Sequence, residues 1–381
     1  MLLVDLAACE LWAAIRYQKY KSTSTMTRHI RPLVAEDLGE LSGFLSRGFG
    51  APVDADFADA EVLRWKYLEP VEASAEDLNA LSLVATDETG RIIGHLGVCR
   101  TSFQGQGIGS SGPGIPTIHI IDWLGSPEHR SVGMSLMRRA HQSVPTQFGL
   151  GVSPSALVVG ERSGYQLRAL VPAFSRVLRP GYWKRTGSLG FTQRMARFTR
   201  DAGLHLWHGA TLPRPDGSLR LERTPRFGQE IVPVIEKAYA HAVFTQRDPA
   251  RLNHVLDFPR QAMTGWHLVD RSGVIRGFAI LNVIPKDLGR TRVGKVVDCV
   301  LDHNDPKLWN RAQIALTDEL KRQGADIAQA YGSTPWAAAS LESAGYAARF
   351  DVKFHIRDRQ SLIPASSTFH LTPLEGDYGY T

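Results

Sequence analysis

The strongest constraint on this chain is that it reads itself twice. Thr89-Gly90-Arg91-Ile92-Ile93-Gly94 is matched by Ser272-Gly273-Val274-Ile275-Arg276-Gly277, and both have the form of a hairpin turn entering a strand. Ile120-Ile121-Asp122 is matched by Val296-Val297-Asp298, each leading to a helix-like stretch. Pro154 to Gly164-Tyr165 is matched by Pro335 to Gly345-Tyr346, with the same ten-residue step from proline to glycine, and Leu63 to Pro70 sits like Leu252 to Pro259. Four matches in one order predict two copies of a single unit. Each copy reads as strand and helix, hairpin, strand, helix, strand, helix and final strand. The expected fold class is α/β, a twisted mixed sheet with helices packed against it. The boundaries expected are an N-terminal extension over 1–26, a first unit over 27–190, a connector over 191–224 and a second unit over 225–381.

Composition narrows the class. A chain of 381 residues exceeds one typical core, which agrees with two units. Hydrophobic residues make up 43% and charged residues 22%, the balance of a globular protein. No apolar run reaches the length of a membrane span. Cys9, Cys99 and Cys299 are too dispersed for a zinc pattern or a disulfide framework, which predicts a cytoplasmic protein. No HxxxH or HExxH occurs, so no catalytic metal is expected. The first 20 residues are partly apolar but carry Asp5 and Glu10, a poor secretory signal. With the Ser22-Thr23-Ser24-Thr25 tract before Met26, they read equally as a start-site artefact or an extra helix.

The formal charge of +6 is uneven, because Arg176 to Arg226 holds eleven Arg/Lys against three acids. Phe191, Met195, Phe198 and Ala202 have helical spacing there, with Arg194, Arg197 and Arg200 between them. That pattern suits a solvated connector or a peripheral contact with an anionic membrane surface. Gly107 to Gly112 spells GxGxxG, but Pro113, Gly114 and Pro116 follow and break a helix at its start. A loop bordering a substrate site is the better reading. No nucleophile elbow or Cys/His pair is visible, so a covalent acyl-enzyme is not expected.

The most informative single segment runs from Ile118 to Ala140. An apolar run stops at Gly125-Ser126-Pro127, and the small-residue turn Arg130-Ser131-Val132-Gly133-Met134-Ser135 opens into a helix-like segment. A strand, a tight turn and a helix start present unpaired N–H groups to an anion.

This segment resembles the acyl-coenzyme A loop of the GNAT N-acetyltransferases. Pro127-Glu128-His129-Arg130 matches the lead-in, Arg130 the first motif position and Gly133 the fourth; the sixth is Ser135, where the family has Gly or Ala. The resemblance covers most of the chain and implies two tandem GNAT-like acyl-CoA N-acyltransferase domains. It implies acetyl-CoA as donor, held by Leu124, Arg130, Ser131, Val132, Gly133, Met134 and Ser135. It also implies an acidic base near the loop: Asp122 is the first candidate and His119 the second. The family's usual tyrosine acid would fall at Gly160 or Leu341, so neither copy has it. The second copy carries Asp302 and Asp305 at its loop, where they would repel a diphosphate, and is expected to be degenerate for the coenzyme. The acceptor implied is the amine of a small molecule or sugar, with polysaccharide biosynthesis as the context. A Fem-type aminoacyl transferase and a non-catalytic GNAT-fold scaffold or coenzyme sensor remain as alternatives. No DNA partner is expected, and the absence of aromatic-basic interleaving disfavours RNA.

Overall fold

The structure, a computed structural model, describes residues 29–52, 55–69, 81–108, 114–129, 131–182, 190–212, 216–261, 263–286 and 290–379. The extension 1–26, Arg130 and residues 109–113 of the glycine-rich loop lie outside them.

The first half runs β1 (His29–Pro32), α1 (Leu38–Phe49), α2 (Ala60–Tyr67), β2 (Leu83–Thr86), β3 (Ile92–Gly105), β4 (Ile115–Gly125), α3 (Val132–Ala140), β5 (Thr146–Leu150), α4 (Pro154–Arg162) and β6 (Gln166–Val177). Helix α5 (Phe191–Thr211) connects to the second half: β7 (Leu219–Thr224), α6 (Val232–Ala238), β8 (Val243–Thr245), α7 (Pro249–Leu256), β9 (Thr264–Asp270), β10 (Ile275–Lys286), β11 (Thr291–Leu301), α8 (Pro306–Arg322), β12 (Ile327–Tyr331), α9 (Pro335–Ser343) and β13 (Ala347–Asp358). A tail with 3-10 turns at Pro373–Glu375 and Asp377–Gly379 follows.

The repeated segments form matching local structures because they use the same side-chain chemistry. In the first hairpin Asp87 Oδ1 accepts from the N–H groups of Thr89 and Arg91, at 2.9 and 3.0 Å. In the second, Asp270 Oδ1 accepts from Ser272 and Val274, at 2.9 and 3.1 Å. Gly90 and Gly273 take the left-handed conformation both turns need, with φ of 87° and 85°. Helices α2 and α7 are capped by Asp59 and Asp248, and α4 and α9 by Ser153 and Thr334, each accepting from the first-turn backbone. Leu63 and Leu252, matched in sequence, are both fully buried.

The strands form one sheet in the order β1-β2-β3-β4-β5-β13-β6-β12-β11-β10-β9-β7, with β8 paired to β3. This order is a palindrome of the two halves with their last strands exchanged. β13 lies between β5 and β6, placing Phe354 opposite Leu150 and Ile356 opposite Phe148. In return β6 pairs with β12, Phe174 opposite Ala330. Phe103, Phe148, Phe354 and Phe369 pack together at this junction, the first pair of rings 5.3 Å apart and the last 5.1 Å. The helix α5 is far less covered: Phe191 is 79% exposed and Trp207 66%. No helix among the described residues is long and apolar enough to cross a membrane.

Candidate active site

The parallel strands β4 and β5 pair only from Thr117/Thr146 to His119/Phe148. Beyond that point both continue but part company. The gap between them is a cleft walled by Ile120, Ile121 and Trp123 of β4, Gly149 and Leu150 of β5, Met137 of α3, and Ala156 and Leu157 of α4. The parting coincides with a one-residue bulge in β4: β3 pairs Gly97 with Ile121 but His95 with Leu124. Asp122 sits in the bulge with φ 48°, a strained conformation for a side-chain-bearing residue.

The first turn of α3 packs against Trp123, which walls the cleft. Ser131 enters the turn with φ 68°. Val132 N–H bonds to His129 O at 3.3 Å and Ser135 N–H to Ser131 O at 3.0 Å. The N–H groups of Gly133 and Met134 lie in the turn that the helix's own carbonyls cannot reach. Ser135 turns its hydroxyl onto Ser131 O, at 3.2 Å, so it does not crowd the approach to the turn. Trp123 Nε1 donates to Gly133 O at 3.0 Å, and a Cβ on Gly133 would stand 3.1 Å from that nitrogen. Glycine is what lets the indole lie against the helix start.

Asp122 and His119 occupy different environments. The Asp122 carboxylate is buried and receives Lys66 Nζ at 2.8 Å and the Tyr67 hydroxyl at 2.5 Å. Burial alone would raise its pKa, but Lys66 and these hydrogen bonds outweigh it and hold the group below its usual value. Asp122 is therefore an ion-paired carboxylate held by Lys66 and Tyr67. His95 Nδ1 lies 3.0 Å from the Asp122 carbonyl, and burial depresses this imidazole to about 4. His119 stacks on Phe148 with ring centroids 4.7 Å apart. Burial, then Lys66, depresses it to about 3, so it is neutral at pH 7.

His119 faces a second pocket, built between the two halves. Trp65, Lys66 and Tyr67 of α2, Arg100 and Thr101 of β3, Arg251 and His254 of α7, and Glu375 of the tail line it. Ile121 lines both this pocket and the cleft, so the two meet at the β4 bulge. The tail bridges them as well, because Tyr378 enters the cleft, where a Cβ on Gly151 would collide with its hydroxyl.

No protein-family model and no curated protein matches the chain. Solved structures do. A GCN5-related N-acetyltransferase from Anabaena variabilis superposes with a TM-score of 0.56 at 15% identity, over 88% of this chain and 73% of that one. Saccharomyces cerevisiae N-myristoyltransferase with bound myristoyl-CoA gives 0.57 at 11% identity, over 87% and 78%. A GCN5-related N-acetyltransferase from Kribbella flavida gives 0.51 at 14%, over 88% and 72%. The chain has the GNAT fold.

The two GNAT-like halves differ where the site is concerned. In the second, β11 and β12 also part, after Lys295/Gln329, but the tail lies against β11 there. Lys295 Nζ donates to Tyr378 O at 2.6 Å and Asn282 Nδ2 to Gly379 O at 3.1 Å. At the start of α8, Asp305 accepts from Lys307 N–H at 3.0 Å and fills the anion position itself, while Asp302 pairs with Arg276 at 2.9 Å. Asp298, the counterpart of Asp122, is locked in a buried cluster: Arg247 Nε lies 2.8 Å away and Arg247 also pairs with Glu375. Among the described residues no group of three His, Cys, Asp or Glu could hold a metal ion. Tyr165 is a core residue: its hydroxyl donates to buried Gln147 at 2.8 Å, and burial pushes its pKa up.

Sequence reasoning found the strand, the turn and two β4 side chains, and missed Lys66, Tyr67, Arg251, Glu375 and Tyr378. The one local signal was Trp65-Lys66-Tyr67, where a lysine is buried between aromatics inside a helix.

Proposed function

We propose that this protein is an acyl-CoA-dependent N-acyltransferase whose donor site lies in the first half only. The observation that carries the reading is the parting of β4 and β5 beside α3, whose first turn packs on Trp123 of the cleft wall. It provides a slot for an extended pantetheine arm and, at the helix start, backbone donors for a diphosphate. The fold neighbour that holds myristoyl-CoA supports a CoA thioester as donor. Leu124, Arg130 and Ser131 to Ser135 are the proposed coenzyme contacts. β4 and β5 are paired up to His119 and Phe148, which ends the slot there and favours a short acyl group, acetyl first.

In this reading a small-molecule or sugar amine enters the pocket between the halves and attacks the thioester carbonyl beside Ile121. The new N–C bond makes the nitrogen's proton more acidic than in the free ammonium, and a neutral imidazole in the acceptor pocket takes it. His119 is that base. Asp122 acts indirectly, by fixing Lys66, Tyr67 and the bulge. As the C–S bond breaks, the thiolate takes a proton from the Tyr378 hydroxyl, which reaches the cleft from the tail and stands in for the tyrosine absent at Gly160. Chemistry by direct attack asks mainly that the two substrates be held together. Helix α5, with Arg194, Arg197 and Arg200, remains a proposed contact for an anionic membrane surface.

The test is calorimetric binding of acetyl-CoA to the full chain, together with release of CoA thiol in the presence of amines. One donor should bind per chain. His119→Gln should lower turnover by about 10²- to 10⁴-fold while leaving donor affinity unchanged. A protein that binds neither acetyl-CoA nor longer acyl-CoAs would overturn the reading.

A further inference from the structure

The pocket between the halves carries more recognition chemistry than an amine needs. Two of its lining side chains are arginines from different halves: Arg100 of β3 and Arg251 of α7. Arg251 Nη1 reaches the Arg100 backbone carbonyl at 3.5 Å, so α7 and β3 meet where both arginines line the pocket. Neither forms an ion pair among the described residues, and Arg100 Nη1 and Arg251 Nε are buried without a hydrogen-bond partner. Buried guanidinium N–H groups are expensive to leave unsatisfied, and such a pair suits an anion held by several charged hydrogen bonds.

The rest of the pocket's charge is accounted for. Lys66 is neutralised by Asp122. Glu375 and Asp298 both pair with the buried guanidinium of Arg247, two carboxylates to one cation. His119 and His254 are neutral, both depressed by burial, to about 3 and about 4. The pocket is therefore polarised, with unpaired positive charge on the Arg100/Arg251 wall and, behind Glu375, a buried cluster with more carboxylates than cations. Nor do the arginines serve the donor's diphosphate. Arg100 is in register with Ile118, on the paired side of the β4/β5 junction, whereas α3 begins beyond Gly125 at the other end.

We propose that the acceptor is a primary amine that also bears an anionic group, a carboxylate or a phosphate, with the anion on Arg100 and Arg251 and the amine towards Glu375 and His119. This rests on the N-acyltransferase reading and adds the substrate class to it. An amino acid meets the requirement with a carboxylate, and an amino-sugar phosphate or phosphoethanolamine with a phosphate.

Matched acceptors separate these possibilities. The panel is the amino acids with their amides, glucosamine 6-phosphate with glucosamine, and phosphoethanolamine with ethanolamine, each measured for binding by calorimetry on the full chain saturated with CoA and for turnover with acetyl-CoA. At least one anionic member should bind about 10- to 100-fold more tightly than its neutral partner. Arg251→Gln should erase that difference by weakening the anionic member alone, and Arg251→Lys should restore part of it. Donor affinity should be the same in all three proteins, which also reports that they fold. If neutral partners bind equally well, or if no anionic member binds, the inference fails. If the anionic amines bind and Arg251→Gln abolishes the preference, but no amine is acylated, the inference stands and the acyltransferase reading fails.

Discussion

At the scale of residues, the lesson of the site is that a buried charge is defined by its partner. Asp122 has the position expected of a base, but Lys66 and Tyr67 already hold it. Asp122→Asn keeps the size and removes the charge, leaving Lys66 buried and uncompensated. The expected loss is about 3–5 kcal/mol of stability, read as a lower urea midpoint. Lys66→Met added to Asp122→Asn should recover most of it, because replacing both members of a buried pair with neutral groups is nearly neutral. An Asp122→Asn protein as stable as the parent would show that the pair is not buried in the way described. The sequence placed Asp122 and His119 beside the loop because they are neighbours along the chain. Lys66, Arg251 and Tyr378 arrive from 56, 129 and 256 positions away along the chain. No local pattern brings those together; only the packing of α2, α7 and the tail on β4 does.

At the scale of elements, strand, turn and helix were legible because each carries its own punctuation. Gly125 and Pro127 end β4, and Gly133 lies in the first turn of α3. The reason for Gly133 was only half legible. The motif position implies a coenzyme contact, and the structure adds that Trp123 packs where a Cβ on Gly133 would stand. Gly133→Glu therefore places a negative charge at the proposed diphosphate site and pushes the indole aside. Acetyl-CoA affinity should fall at least about tenfold by calorimetry, since like charges oppose each other at a helix start that otherwise attracts anions. An unchanged affinity would move the donor away from α3. The second half provides the internal control. Its helix α8 starts on Asp305, whose carboxylate already caps the Lys307 N–H, so a charge change there should leave donor binding alone.

At the scale of the whole molecule, the repeat was readable and the strand exchange was not. The matched hairpins and helix caps are local, so the sequence displays them twice. The alternation of β6 and β13 is satisfied by any neighbouring strand of the right polarity, whichever half supplies it. The exchange has an energetic consequence. Val352, Phe354 and Ile356 of β13 are buried at the β5/β6 junction, and full burial of such side chains contributes about 1.5–3 kcal/mol each. A fragment 27–190 would lose those contacts and expose β5 and β6 as open edges, which invite aggregation. A fragment 191–381 would lose β6 from beside β12. The full chain should therefore unfold in one transition, with coincident loss of far-ultraviolet circular dichroism and tryptophan fluorescence. The separate fragments should be insoluble or molten, and the two co-expressed should recover a folded complex. Two separated transitions, or a monomeric fragment 27–190 with native-like spectra, would mean that each half closes its own sheet, and the pocket between them would then lose its claim to be a fixed part of the site.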